Sequence, residues 1–174
     1  MTRTARASWS SFWTASTYWY GTSASARSTM ISAWLSAYSG PTTPLTSREK
    51  LQQLKDAGLS RLAISLDGSH PGIHDEFRRV SGSFEHGLRI LRTSQEIGLS
   101  TQVNTVVAKH NLDDFDNLCT LMTEVGIVFW EVFFLIPMGR AKPEDVASAE
   151  AFESVFHRLY DLSKDAPFDI KATA

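Results

Sequence analysis

The residues best placed to do chemistry lie between Arg61 and Arg79. An apolar run, Leu62 to Leu66, stops abruptly at Asp67-Gly68. Alternation along a strand puts Ser65 and Asp67 on one pleat face. A carboxylate there can accept hydrogen bonds from ribose hydroxyls, and the Ser65 hydroxyl can donate or accept; Asp67-Gly68 serves equally as a plain turn, with Asp bonding its own backbone. A turn with Pro71 and Gly72 follows. The segment His74-Asp-Glu-Phe-Arg-Arg79 predicts a short helix on which Arg78 or Arg79 can clamp a carboxylate bidentately, the other belonging to an exposed face. Asn104 interrupts an otherwise apolar strand. Its amide either bonds a ligand or ties two strands together, and the spacing alone favours the structural role. The loop Ile136-Pro-Met-Gly-Arg140 exposes backbone groups that suit the edge of a flat heterocycle, or simply makes a sharp turn. Cys119 falls on an apolar helical stripe and reads as a small buried hydrophobe.

These residues need a scaffold, and the chain from Thr46 onward has a regular rhythm. Thr46-Ser-Arg-Glu49 has the form of a capping box opening a helix with Leu51 and Leu54 inward, ended by Gly58. A strand over 61–66 follows. Ser83 is expected to cap a second helix with Phe84, Leu88 and Leu91 inward, ending at Gly98, before a strand over 102–107. Asn111 is expected to cap a third helix carrying Leu112, Phe115, Leu118, Cys119, Met122 and Val125, ending at Gly126. Strand 127–135, a helix over 148–163 burying Phe152, Val155, Phe156 and Leu159, and a short strand 168–171 complete the series. Helices alternating with apolar strands imply right-handed βαβ units and a parallel sheet. Four strands at this spacing suit half of a (βα) barrel; an open doubly wound sheet is the alternative that periodicity cannot separate. No G-x-G-x-x-G or Walker loop is present, which weighs against a nucleotide-binding open sheet.

Composition limits the rest. The 174 residues are 43% apolar with a net charge of −2, enough for one core and without the basic stripe of a nucleic-acid binder. One cysteine permits no internal disulfide and no thiolate metal site. No apolar run reaches the roughly 18 residues of a membrane span, so a cytoplasmic setting is the expectation. Residues 1–40 hold four of the five tryptophans and the arginines Arg3, Arg6 and Arg27, with no Asp, Glu or Lys. A secretory signal lacks its continuous apolar stretch there. A transit peptide fits the composition but not the tryptophans. A shifted reading frame upstream of about residue 41 accounts for the break, so residues 1–42 are expected to be irregular and 43–174 to form the domain.

Taken together, Ser65-Leu-Asp-Gly68, the following His74-Asp-x-x-Arg78, Val103-Asn-Thr105 and Phe134-Leu-Ile-Pro-Met-Gly-Arg140 resemble the radical S-adenosylmethionine (SAM) enzymes. The likeness covers about residues 43–174. It is greatest to the branch of peptide-modifying and haem- or cofactor-maturation enzymes that often bear an extra cysteine-rich (SPASM-type) C-terminal domain. The resemblance implies an α/β fold, a partial (βα) barrel, with Ser65 and Asp67 beside SAM and Arg78 at its carboxylate. It also implies Asn104 near the ribose and Ile136, Pro137 and Gly139 against the adenine, with Arg140 as the alternative clamp.

In that family a [4Fe–4S] cluster, held by three cysteines in a C-x-x-x-C-x-x-C loop, cleaves SAM reductively to a 5′-deoxyadenosyl radical that acts on a small-molecule or peptide substrate. A Gly-Gly-Glu element grips the SAM amino group. This chain has neither element, so the resemblance implies SAM and [4Fe–4S] as family cofactors while providing no cluster ligands and no catalytic residue here. The expectation is a truncated or frame-damaged part of such an enzyme, inactive as it stands. Two other classes stay open: a non-catalytic SAM-binding or partner module, and half of an unrelated barrel lyase or aldolase using His74, Asp75 or Lys109. Neither nucleic acid nor membrane is expected as a partner. An unpaired barrel edge predicts self-association.

Overall fold

The computed structural model describes Tyr38, Ser39 and residues 46–137 and 141–173. Five parallel strands form one sheet: β1 (Tyr38–Ser39), β2 (Arg61–Ser65), β3 (Ser100–Val107), β4 (Phe129–Phe134) and β5 (Asp169–Thr173). The helices between them are α1 (Arg48–Asp56), α2 (Pro71–Arg78), α3 (Ser83–Glu96), α4 (Phe115–Val125) and α5 (Ala149–Ser163). The strand order is the chain order, β1-β2-β3-β4-β5. A doubly wound sheet must reverse its strand order part-way. Here every right-handed crossover steps the same way, so the helices collect on one face, as in a barrel. The fold is therefore the partial α/β barrel. Tyr38–Ser39, inside the segment expected to be irregular, supplies a fifth strand by pairing with Leu62 and Ala63; the rest of residues 1–42 lies outside the described residues, apart from these two.

The two faces of the sheet differ in composition. Leu62, Ile64 and Leu66, then Val103 and Val107, then Trp130, Val132 and Phe134 join the helices' Leu51, Leu88, Leu91, Leu118, Met122, Val155 and Leu159 in one core cluster. That cluster takes none of the alternate residues, Ser65, Gln102, Asn104, Phe129, Glu131 or Phe133. On the helix side the Trp130 indole donates to Thr105 Oγ1 at 2.9 Å, and that hydroxyl donates to the Leu66 carbonyl at 2.7 Å, whereas the buried Ser94 hydroxyl of α3 has no partner among the described residues. The three glycine joints end their helices as expected. Gly58, Gly98 and Gly126 have φ of +98°, +70° and +73°, which a residue with a Cβ adopts only under strain.

The caps are corrected. Ser47, not Thr46, caps α1, its Oγ accepting from Lys50 N–H at 3.4 Å. Ser83 is the first residue of α3, not its cap. Gly82 occupies the cap position, and Asp75, from the preceding helix, accepts from Gly82 N–H (2.6 Å), Phe84 N–H (2.8 Å) and Ser83 Oγ–H (2.8 Å). Asn111 ends a 3-10 turn, Lys109–Asn111, and Asp114 precedes α4. The Asn111 amide is spent on Ala108 N–H and on the carbonyls of Asp67 and Val106, which leaves nothing for a helix end. Phe156 was expected in the core. It is 43% exposed, stacked on the outer side of Phe134 at 4.4 Å between centroids. Strand bounds also shift: β4 is shorter than 127–135, and β5 begins after Phe168, whose ring is buried edge-on against Trp130.

Candidate functional site

The C-terminal end of β2 is built around a buried carboxylate. Asp67 is fully buried; its Oδ1 accepts from Val106 N–H on β3 at 2.8 Å, and its Oδ2 meets Arg78 Nε at 2.5 Å. Its own N–H donates to His74 Nδ1 at 2.9 Å, and its carbonyl takes the Asn111 amide at 2.9 Å. Asp67 is thus a tie between β2, β3 and α2 rather than a self-bonded turn. Gly68 must be glycine for a steric reason: a Cβ there would lie 2.7 Å from Ile73 Cβ and 2.8 Å from His74 N. Only a bare backbone lets α2 fold back this closely over the strand end. Ser69 extends the tie, giving its N–H and hydroxyl to the two oxygens of Asp114 at 2.6 and 2.5 Å.

His74 sits fully buried against Phe84. Because Nδ1 accepts, its proton is on Nε2, which has no partner. Burial, acting against the pull of Asp67, holds its pKa below the usual imidazole value. Asp75 points to α3: desolvation pushes its pKa up, but the bonds from Phe84, Ser83 and Gly82 together hold it below the usual carboxylate value. Both residues named for acid–base work therefore serve the scaffold, and Lys109 is exposed in a turn beyond the sheet.

On the face not taken by the core, Ser65, Asn104 and Glu131 are register partners on β2, β3 and β4, and Lys171 on β5 continues the row. Asn104 Oδ1 accepts from Gln102 Nε2 at 2.7 Å, so its tie runs along its own strand. That leaves Asn104 Nδ2 and the neighbouring Ser65 hydroxyl uncommitted, both half-buried and side by side. Arg78 spends only Nε on Asp67; its side chain is 36% exposed, and both η nitrogens remain to donate. The structure thus brings Ser65, Asp67, Asn104 and Arg78 to one strand end. Ile136 and Pro137 follow β4 as an exposed stretch, while Gly139 and Arg140 lie outside the described residues. Gln102, Glu131 and Lys171 were not anticipated. For Glu131 the signal was a lone carboxylate between Phe129 and Phe133, inside a strand that otherwise reads as wholly hydrophobic.

Comparison with known proteins bears on the family and the fold. Residues 34–122 match the Radical SAM superfamily. The chain belongs to that superfamily. It is 35% identical over 129 residues to an AdoMet-dependent heme synthase of Methanosarcina barkeri, covering 74% of this chain and 37% of the relative. A second heme synthase, from Nitratidesulfovibrio vulgaris, is 36% identical over 135 residues, 76% of this chain and 37% of the relative. The chain thus spans just over a third of these relatives. Among solved structures, Streptococcus suis SuiB bound to S-adenosylmethionine superposes with a TM-score of 0.67 at 11% identity, covering 84% of this chain and 36% of SuiB. At that identity the likeness supports the fold.

The two family cofactors fare differently against these residues. An unspent hydroxyl, an unspent amide and a free guanidinium edge around one strand end suit the ribose and carboxylate of SAM. The cluster does not fit. The single cysteine, Cys119, is buried in α4 on the helix side, and burial pushes its pKa up to about 11, so it is a thiol and not a thiolate ligand. Among the described residues no group of three His, Cys, Asp or Glu could hold a metal.

Proposed function

We propose that this chain carries the SAM-holding wall of a radical SAM barrel, and that the iron–sulfur cluster is not held by it. In this reading Ser65 and Asn104 take the ribose hydroxyls. Arg78, fixed in direction by Asp67, offers its η nitrogens to the SAM carboxylate, and the exposed Ile136-Pro137 backbone meets the adenine edge; family likeness adds Gly139 at the adenine and Arg140 as the alternative carboxylate clamp. Asp67 acts by aiming Arg78 and by locking the end of β2 to β3. When bound, SAM supplies a sulfonium whose reductive cleavage needs an injected electron, and this chain has no thiolates to hold an electron carrier for it. No chemical step is assigned to these residues.

The observation that carries the proposal is the pair of uncommitted groups, Ser65 Oγ and Asn104 Nδ2, in register beside the Asp67–Arg78 pair. Likeness to two heme synthases at 35% and 36% identity favours work on a tetrapyrrole. Calorimetry with SAM tests the holding role. Heat of binding is expected with the wild-type chain, weakened about tenfold by Asn104→Ala; no heat in the wild type defeats the proposal. Anaerobic reconstitution with iron and sulfide tests the second half. No [4Fe–4S] absorption or EPR signal is expected, and a stoichiometric cluster would overturn it.

A further inference from the structure

The row that begins with Ser65 and Asn104 continues across the same face to Glu131 on β4 and Lys171 on β5, beyond the two groups assigned to SAM. Glu131 lies in the centre of β4 with both oxygens engaged: Oε1 takes Lys171 Nζ at 2.6 Å, and Oε2 takes Gln102 Nε2 at 3.2 Å. Glu131 is 16% exposed and Lys171 52% exposed. Gln102 is buried and shares the same amide nitrogen with Asn104. Phe129 and Phe133 flank Glu131 on the same face, each about 7 Å away along the strand.

An ammonium has three donors, and Glu131 takes one. The carboxylate is itself held by a buried amide, so it fixes where the remaining N–H groups of Lys171 point. A lysine that merely guarded the exposed edge of β5 would need no such socket. We propose that Lys171 is a substrate-anchoring residue that receives a carboxylate arm of a flat, apolar macrocycle, with Glu131 and Gln102 as positioning residues and Phe129 and Phe133 against the ring. This rests on the tetrapyrrole reading above and adds the residue and the chemical group it recognises. No covalent step is involved; the contact is a charge-assisted hydrogen bond in a half-dry setting, where it is stronger than on an open surface.

The test uses the whole chain without SAM and titrates coproporphyrin III and its fully methyl-esterified form, following porphyrin absorbance. The free acid is expected to bind about tenfold or more tightly than the ester. Lys171→Met is expected to erase that difference, Lys171→Arg to keep most of it, and Glu131→Gln to weaken acid binding while leaving the ester unchanged. Thermal melts of each variant confirm folding, and Lys171, half exposed on an edge strand, tolerates replacement. Equal binding of acid and ester, unchanged acid binding by Lys171→Met, or no acid binding by the wild type each overturns the proposal. SAM calorimetry on the same samples separates the two readings: SAM heat without Lys171-dependent porphyrin binding sinks this inference alone, and the reverse sinks only the SAM assignment.

Discussion

Removing either member of the Asp67–Arg78 pair tests the strand-end geometry directly. Asp67 is fully buried and Arg78 is 36% exposed, so the two deletions are not equivalent. Arg78→Met leaves a buried carboxylate with the Val106 N–H as its remaining side-chain partner. Breaking a fully buried pair in this way costs about 3–5 kcal/mol. Water reaching Oδ2 through the partly exposed arginine site lowers that to about 2 kcal/mol. Asp67→Ala instead strands the Val106 donor at about 1–3 kcal/mol, while Arg78 swings into solvent at little cost. With a urea slope of about 1–3 kcal/mol per molar, each variant should lose about 1 M in midpoint. The double variant should cost less than the sum, with a coupling of about 1–2 kcal/mol, because the same interaction is deleted twice. Arg78→Lys should recover part of the loss, since one ammonium cannot reproduce the guanidinium edge. Additivity within about 0.5 kcal/mol would refute the pair and, with it, the account of how Arg78 is aimed.

Three further outcomes follow from the same region and its surroundings. Asp75→Ala should destabilise the chain by about 1–2 kcal/mol in urea unfolding, because α3 loses its only side-chain cap among the described residues; a change under about 0.3 kcal/mol would contradict that role. His74 is held neutral with its pKa below the usual value by burial, so its contribution is fully present above about pH 6.5 and is lost as pH falls from there through the folded value. Melting temperature should therefore fall between pH 7 and 5, with a shallower slope in His74→Gln, and equal slopes would sink the assignment. Cys119, with its pKa pushed up to about 11 by burial, should resist iodoacetamide at pH 8 in the folded chain and react within minutes once unfolded; rapid native alkylation would show that the α4 stripe is not packed as described.

The helix–glycine–strand rhythm was legible because each joint depends on local chemistry. Gly58, Gly98 and Gly126 each sit where the backbone turns to positive φ, and no distant residue changes that requirement. The caps were not legible, because the bonds that satisfy helix ends come from wherever an oxygen lies in space. Asp75 caps a helix that begins eight residues later, and a local rule assigns that task to Ser83. Asn111 shows the converse: its amide is recruited by the strand ends of β2 and β3, a demand invisible along the chain. Phe156 follows the helical period faithfully, yet only one face of its ring is covered, by Phe134, and the ring stays half in solvent. Ser65 and Asp67 stood out because an apolar run ends there abruptly in polar residues, Asn104 because it interrupts an apolar strand, and Arg78 because it sits in the charged segment after the turn. What the sequence could not divide was the labour among them. Burial and bonding make Asp67 a tie, and they leave Ser65 and Asn104 with unspent groups.

The asymmetry between the two sheet faces gives the placement of these unspent groups its meaning. On the helix side, Thr105 and Trp130 are polar-bearing residues that satisfy each other, while Ser94 Oγ is buried without a partner among the described residues. On the other side, Gln102, Asn104, Glu131 and Lys171 also bond one another, yet the network ends in free donors: the Asn104 Nδ2, two of the three Lys171 donors, and the adjacent Ser65 hydroxyl. These donors are not among the buried atoms without a partner, so they are open to water or to another molecule. The proposed SAM and carboxylate contacts both fall on the row from Ser65 to Lys171, and substitutions there should separate binding from stability.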